Sequence, residues 1–197
     1  MNVYKALLHF FLLAFVLTTT VLTTNRAHAD SYIGFGVGSG AKVSGPLERI
    51  IQADDQPNGR LFIGQRISAL AVEASLFGTG LATDAESLVV NGPSQTLSLG
   101  ASLKYHFPLA LGLDVFVRGG IHKTWIGRDT IRNQLEFEEG GNGFHYGGGL
   151  QYKFPTPLLH FALHAEIVNQ RLSTDDPSGV ELDGDITSWN IGASIGF

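Results

Sequence analysis

The chain contains no cysteine, and this absence limits how its fold can be stabilised. With none among 197 residues, it cannot use disulfide bonds even in an oxidising compartment. Long apolar runs are also absent after residue 30, where no window approaches the roughly 18 to 20 uninterrupted apolar residues of a membrane-spanning helix. A helical membrane anchor is therefore not expected in this part of the chain.

Basic residues are also scarce. The chain has 13 Lys and Arg against 18 Asp and Glu, and Lys5 and Arg26 both lie within the first 29 positions. The later residues carry 11 basic and 18 acidic side chains, a net charge of 7 negative. This balance disfavours nucleic acid or an anionic lipid surface as the main partner.

The first 29 residues have the features of a secretory signal peptide. Lys5 gives a positive start, "ALLHFFLLAFVLTTTVL" gives a short apolar run, and "AHA" at 27–29 places small residues at the two positions that a signal peptidase reads. We expect cleavage before Asp30, which leaves residues 30–197 as one exported domain. The alternative, an uncleaved anchor, is disfavoured by the short run and the small-residue site.

The chain is rich in glycine, and many of its segments alternate apolar residues with small or polar ones. It contains 25 glycines without a collagen period. Eight segments alternate apolar residues with small or polar ones, and each is predicted to be a β-strand: 31–39, 59–67, 70–77, 95–105, 113–122, 144–154, 159–170 and 189–197.

The connections between these strands alternate in length. Short turns are predicted around Ser68, at 106–112 and at 155–157, whereas the long polar connections are 40–58, 78–94, 123–143 and 171–186. Short turns on one side and long loops on the other are typical of outer-membrane barrels. The predicted fold is all-β: an eight-stranded antiparallel up-and-down transmembrane β-barrel.

The composition of the two strand faces indicates that the apolar face contacts lipid rather than the core of a soluble protein. One face carries Leu, Val, Ile and Phe, which would face lipid, and the other carries glycine, serine and a few charges, which suit a narrow lumen. A soluble sandwich would instead cover that second face with polar side chains for bulk water. Aromatic girdles are expected at both ends, with Trp125 and Trp189 toward the loops and the others at the short turns: Tyr105, Phe107, Tyr152, Phe154 and Phe197.

Seven charged residues are predicted to point into the lumen. They are Arg66, Glu73, Lys104, Asp114, Arg118, Lys153 and Glu166. Isolated ions in a tube surrounded by lipid are costly, so we expect these side chains to pair. The pairing can serve as a structural plug or, alternatively, as the gate of a narrow pore.

No catalytic, metal or cofactor site is predicted. His160 and His164 would lie roughly 13 Å apart on a strand, too far to share one ion. His122 and His145 are both predicted to point inward near the loop end, but no third ligand joins them. Lipid A-modifying activity is a weaker alternative, because the His-x-Ser spacing of lipid A deacylases is absent and the strand histidines face the lumen.

The long connections are acidic. The last one holds Asp175, Asp176, Glu181, Asp183 and Asp185 against Arg171, and 136–143 adds Glu136, Glu138 and Glu139. These residues can form a solvated surface, or they can contact divalent cations or extracellular ligands. Their spacing matches no ordered calcium loop.

Three segments resemble the OmpA-like transmembrane domain family. "ASLKYHFPLALGLDVFVRGGIHKTWIGRD" (101–129) resembles its fourth and fifth strands, "YGGGLQYKFPTPLLHFALHAEIVNQ" (146–170) resembles the next hairpin, and "WNIGASIGF" (189–197) resembles the closing strand. The resemblance implies a lumen plug or gate at the matching positions Glu73, Lys104, Arg118 and Glu166. It covers most of residues 30–197, with the loops unalignable.

The resemblance also implies a location and partners. The family lies in the outer membrane, among lipids and lipopolysaccharide, and uses a terminal aromatic residue as a signal to the barrel assembly machinery. Phe197 matches that residue, and Trp189, Ile191 and Ile195 share its face. Larger members add a peptidoglycan-binding domain after the barrel; this sequence stops at the barrel, so we expect no cell-wall anchoring. The expected role is structural, presenting loops at the surface.

Overall fold

A computed structural model of the chain describes residues 29–45, 56–79, 95–129, 135–154, 160–175 and 181–197. They form eight β-strands: β1 (Ala29–Ser44), β2 (Gln56–Ile67), β3 (Leu70–Thr79), β4 (Gln95–Pro108), β5 (Leu113–Asp129), β6 (Leu135–Lys153), β7 (His160–Asp175) and β8 (Glu181–Gly196). None of the described residues belongs to a helix long and apolar enough to cross a bilayer. Residues 1–28, which hold most of the predicted signal peptide, lie outside the described part.

The strands close into a barrel. Each strand pairs in antiparallel fashion with the next, and β8 returns to pair with β1, where Ile33 lies opposite Ile195. Backbone hydrogen bonds between Ser31 and Phe197 complete this seam at the end of the barrel that carries the short turns. The predicted eight-stranded up-and-down topology is confirmed.

Burial follows the predicted alternation and separates two faces. On the outer face, Val37 is 62% exposed and Ile121 is 70% exposed, whereas Glu73 on the inner face is fully buried. Proteins that are surrounded by water rarely expose an apolar surface that continues around the whole molecule. Because the apolar residues point outward from all eight strands, lipid is the solvent that suits this surface.

The strands extend further toward the loops than the sequence predicts. β5 ends at Asp129 and β6 begins at Leu135, so most of the predicted loop 123–143 is a paired hairpin. The predicted loops at 40–58 and 171–186 are shortened in the same way. These segments pair without the regular apolar alternation that marks a strand in a sequence, so the sequence alone does not reveal them.

Two irregularities bend the sheet near its loop end. The register of β1 shifts between Gly38 and Ala41 relative to β2. The register between β5 and β6 shifts at Thr124 and Trp125, where Gly141 has a φ of 122°. Such bulges increase the local twist of a strand and help a sheet to close into a narrow barrel.

The short turns use residues with positive φ. Ser68 has a φ of 58° between β2 and β3, and Leu111 and Gly112 have φ values of 60° and 81° between β4 and β5. Left-handed backbone at these positions reverses the chain within a few residues. The predicted turn at 155–157 lies outside the described residues.

Aromatic rings cluster at the short turns as expected. Tyr105 contacts Phe107 with ring centroids 4.8 Å apart, and Tyr152 contacts Phe154 at 4.9 Å. At the loop end the expectation was wrong for Trp125, which is only 4% exposed. This residue follows the register shift, and the four consecutive positions from Thr124 are all buried, so the period of two does not continue there.

Candidate functional site

Five charged side chains from five strands meet inside the barrel and form what we call the central charge cluster. They are Arg60 of β2, Glu73 of β3, Lys104 of β4, Arg118 of β5 and Glu166 of β7. All five are buried. Because every strand alternates, one inward residue from each of several strands suffices to fill a section of the lumen.

Arg60 connects opposite sides of the lumen. Its guanidinium donates hydrogen bonds to Glu73 and, through Nη1 at 2.7 Å, to Glu166. The guanidinium carbon also lies 4.4 Å from the ring centroid of Phe62 and 5.2 Å from that of Phe77. A planar cation between two carboxylates and two aromatic faces is strongly fixed in position.

The two carboxylates differ in the number of their partners. Glu73 accepts hydrogen bonds from Arg60, from Lys104 Nζ at 3.1 Å and from the Tyr32 hydroxyl at 2.8 Å. Glu166 accepts from Arg60 and from Arg118 Nη1 at 3.2 Å.

Arg118 Nη1 lies 3.7 Å from Glu73, so it is close to both carboxylates. The cluster holds three cations and two anions, a balance of one positive charge. Its members depend on one another, because a buried ion without a partner is strongly destabilising.

The other predicted lumen charges lie elsewhere. Arg66, Asp114 and Lys153 form a second group at the short-turn end, which we call the mouth group. Asp114 Oδ2 is 2.7 Å from Arg66 Nη1 and 3.1 Å from Lys153 Nζ. The seven predicted charges therefore occupy two levels of the lumen rather than one network.

Sequence reasoning missed Arg60. The alternation of 59–67 puts Arg60 on the same face as Arg66, but nothing in the sequence shows that it reaches across to Glu166, 106 positions away. Tyr32 was missed for the same reason. The alternation of β1 and β2 predicts that both side chains point into the lumen. Which residues they contact there can be read only when the register of all the strands is known.

Three phenylalanines point inward, against the expectation that phenylalanine faces lipid. They are Phe62, Phe77 and Phe116. Each sits on the polar face of its strand, and glycines on neighbouring strands make room for two of the rings. A Cβ at Gly34 would lie 2.3 Å from Phe62, and one at Gly149 would lie 2.8 Å from Phe116. Glycines on the inner face therefore leave space in the lumen for aromatic side chains.

Histidines occupy the lumen above and beside the central charge cluster. The rings of His122 and His145 have centroids 5.6 Å apart. Ser102 Oγ lies 2.8 Å from His145 Nε2 and accepts a hydrogen bond from Arg118 Nη2 at 2.6 Å. These contacts link His145 to the cluster by hydrogen bonding. Among the described residues no group of three or more possible metal ligands occurs.

His160 lies at the open end of the lumen, where it lines the same pocket as Tyr32, Arg66 and His106. Its side chain is 60% exposed, and its Nδ1 lies 3.8 Å from Asp30. As the first residue of β7 it sits at the rim, where the inner face opens to solvent. His164, four positions further along the strand, is buried in the lumen against Phe62.

The remaining predicted residues whose side chains the structure describes lie on the outside. In the acidic segment, Arg171 Nη2 lies 4.0 Å from Asp183 Oδ2 with both side chains more than half exposed, while Asp176 lies outside the described residues. The residues of the predicted assembly signal are all exposed on the outer face of β8 and just after it: Trp189, Ile191, Ile195 and Phe197.

The chain matches one known family over nearly its full length. The sequence model described as "Outer membrane protein beta-barrel domain" matches residues 10–197. No curated protein matches the sequence.

Solved structures show the same fold at low sequence identity. Neisserial surface protein A (NspA) superposes with a TM-score of 0.64 at 16% identity, covering 86% of this chain and 99% of that one. Ail, the attachment invasion locus protein of Yersinia pestis, superposes with a TM-score of 0.55 at 16% identity over the same shares. A second structure of Ail, in complex with the heparin analogue sucrose octasulfate, gives a TM-score of 0.53 at the same identity and coverage.

Proposed function

The chain belongs to the outer membrane protein beta-barrel domain family, and on that premise we propose that it is a non-catalytic outer-membrane scaffold with a closed lumen. Its long loops face the exterior and its short turns face the periplasm. The scaffold holds those loops at the cell surface and contributes mechanically to the envelope.

The observation that carries this proposal is the central charge cluster. Arg60 contacts carboxylates from β3 and β7, and Arg118 and Lys104 fill the space between them. The side chains of these residues are at most 3% exposed. These paired side chains fill the centre of the lumen, which supports a closed lumen.

Conductance in planar lipid bilayers tests the closed lumen. The wild-type protein is expected to give no discrete current steps, because every carboxylate of the cluster is paired. Glu73→Gln and Glu166→Gln are expected to conduct, since each frees cationic side chains to move aside. Asp183→Asn, which changes an exposed charge outside the lumen, is the control. Steady wild-type conductance equal to that of both variants would contradict a closed lumen.

A narrow gated pore is the second candidate, and one contact favours it. Arg118 Nη1 lies 3.2 Å from Glu166 and 3.7 Å from Glu73, so a small movement exchanges its partner. A gate of this kind predicts brief wild-type openings that depend on voltage. Both Glu→Gln variants would then lengthen those openings rather than create them.

Lipid A modification is a third and weaker candidate. The described histidines are buried in the lumen, apart from His160 at the rim, so none is placed on the apolar wall where a lipid substrate lies. Mass spectrometry of lipid A from cells with and without the protein tests this. A mass change that depends on the protein would replace the scaffold proposal.

Targeting and assembly form part of the same proposal. We expect a signal peptidase to cleave before Asp30, which intact mass measurement of the purified protein tests. We expect Phe197, with Trp189, Ile191 and Ile195, to be read by the assembly machinery, because all four present apolar surface outward on one face. Phe197→Ala should slow the appearance of the folded, heat-modifiable band in cells, whereas Leu109→Ala, also exposed, should not.

The loops are proposed to bind cations rather than sulfated polymers. Ail binds a heparin analogue, a polyanion, whereas the last loop of this chain is acidic. Isothermal titration with Ca²⁺ and with sucrose octasulfate separates the two ligand classes. Heat released only by the sulfated compound would contradict the proposal.

A further inference from the structure

His145 of β6 lies beside the central charge cluster without being one of its members. The residue is only 1% exposed. It contacts Ser102 and the ring of Phe77, whose centroid is 5.6 Å from its own. Gly120 makes room for the imidazole, because a Cβ there would lie 2.8 Å from two of its ring atoms. The closed lumen proposed above assigns no role to this titratable side chain.

The hydrogen bonds around His145 indicate where its proton lies. Nε2 is 2.8 Å from Ser102 Oγ and 3.5 Å from Arg118 Nη2. An arginine side chain has donors and no acceptor, so Nε2 presents its lone pair to this contact. Ser102 Oγ accepts a hydrogen bond from Arg118 Nη2 at 2.6 Å, which leaves its own hydroxyl proton to be donated to Nε2. Nε2 is therefore the acceptor, and the neutral ring carries its proton on Nδ1.

A second proton on this ring conflicts with the arrangement. It would have to bind Nε2, the atom that faces Arg118, and it would place two cations 3.5 Å apart. It would also remove the acceptor of the Ser102 hydroxyl. Like charges at this distance repel strongly where bulk water is excluded. Arg118 and a charged His145 therefore cannot both keep their positions.

The surroundings of His145 do not neutralise an added proton. The charged and titratable groups that act on it come from three other strands: Arg60 of β2, Arg118 and His122 of β5, and Glu166 of β7. β3 and β4 present Phe77 and Ser102, which carry no charge, and the residue paired with His145 on β7 is Gln170. Glu166 already pairs with Arg60 and Arg118. An added positive charge would share that carboxylate with two arginines.

We propose that a proton on Nε2 of His145 displaces Arg118 and makes the closed lumen sensitive to acid. The proposal rests on the closed lumen of the proposed function, as the state at neutral pH. Once Arg118 has moved, Arg60 still bridges Glu73 and Glu166, but an opening has one cation fewer to displace. Openings should therefore become more frequent as the pH falls.

Nitrogen-15 NMR of the folded protein in detergent micelles, with labelled histidine, tests the position of the proton. At about pH 7 the signal of His145 Nε2 should be that of an unprotonated ring nitrogen and the signal of Nδ1 that of a protonated one. The spectrum of His145→Gln identifies these signals by their loss. A neutral ring with its proton on Nε2 would overturn the proposal, whether or not the lumen conducts.

Bilayer currents at decreasing pH test the consequence. Discrete steps should appear in the wild type as the pH falls from about 7 to about 3. His145→Gln keeps a neutral acceptor for Ser102 but cannot take the proton, so it should give these steps roughly tenfold less often. The controls are His122→Gln, whose ring nitrogens have no hydrogen-bond partner among the described residues, and His160→Gln at the exposed rim. Both should respond to acid like the wild type.

Three results of the current measurements would overturn the proposal. If the wild type stayed closed in acid while Glu73→Gln conducted at neutral pH, the lumen would be closed but insensitive to acid. If His145→Gln responded to acid like the wild type, the proton would act on the carboxylates. If only His122→Gln lost the response, His122 would be the sensor. Steady wild-type conductance at about pH 7 would instead contradict the closed lumen. Heat-modifiable gel migration confirms that each variant is folded before currents are compared.

Discussion

Replacing Glu73 by glutamine tests the central charge cluster directly. Glutamine keeps the shape of the side chain and can still accept the hydrogen bond from Tyr32, but it removes the negative charge that Arg60, Lys104 and Arg118 share. Three buried cations would then face Glu166 alone. The variant therefore measures the effect of removing the charge while the packing of the side chain is kept.

The structure sets the expected size of the effect. Removing one partner of a buried ion pair costs about 3 to 5 kcal/mol, because it leaves the other charge uncompensated. Glu73→Gln should fall in the upper part of that range, since it removes a carboxylate that lies close to three cations. Glu166→Gln should cost less, because Arg60 and Arg118 both keep a contact with Glu73.

Urea unfolding of the barrel in lipid vesicles, followed by tryptophan fluorescence, measures these costs. Asp183→Asn is the control, because its ion pair with Arg171 is exposed and 4.0 Å long, and such pairs contribute little. The reasoning is refuted if Glu73→Gln unfolds at the same urea concentration as Asp183→Asn. It is also refuted if Glu166→Gln proves the more destabilising of the two cluster variants.

Three further variants test the packing of the lumen and the mouth group. Gly120→Ala should be destabilised by about 1 to 3 kcal/mol, because its Cβ would lie 2.0 Å from the Ala101 carbonyl oxygen. Gly119→Ala is the control and should unfold like the wild type, because a Cβ there would point into open space. Phe77→Leu should lose about 1 to 2 kcal/mol in the same urea assay, since its ring contacts the Arg60 guanidinium. Asp114→Asn should leave bilayer currents at the wild-type level, because the mouth group lies apart from the central charge cluster; new current steps would contradict this separation.

Much of the barrel could be predicted because alternation is a local property. The faces of Ile121 and Glu73 follow from their neighbours in sequence, and the structure exposes the first and buries the second. The same rule placed Lys104, Arg118 and Glu166 inward. Their convergence on one level depends on strand stagger, which the resemblance to a known family supplied and the alternation did not.

The features of the lumen that could not be predicted depend on contacts between strands that are distant in the sequence. Arg60 reaches Glu166 only because closing the barrel brings β2 and β7 within three strands of each other, and no local pattern encodes that contact. Trp125 was misplaced because the alternation of exposure along β5 stops beside a one-residue bulge in β6, and the four positions from Thr124 are all buried. Bulges and cross-lumen contacts are therefore the features that sequence reasoning misses in a barrel of this size.

The position of Arg60 supports the proposed plug over a gate. If each cation had one partner, moving a single side chain would open a path through the lumen. Here Arg60 holds Glu73 and Glu166 at once, so moving Arg118 or Lys104 still leaves a cation bound on both sides. An open state must break at least one buried pair, and a cost of about 3 kcal/mol keeps its population below about 1%. A lumen that opens so rarely serves better as the rigid core of a scaffold than as a route for solutes.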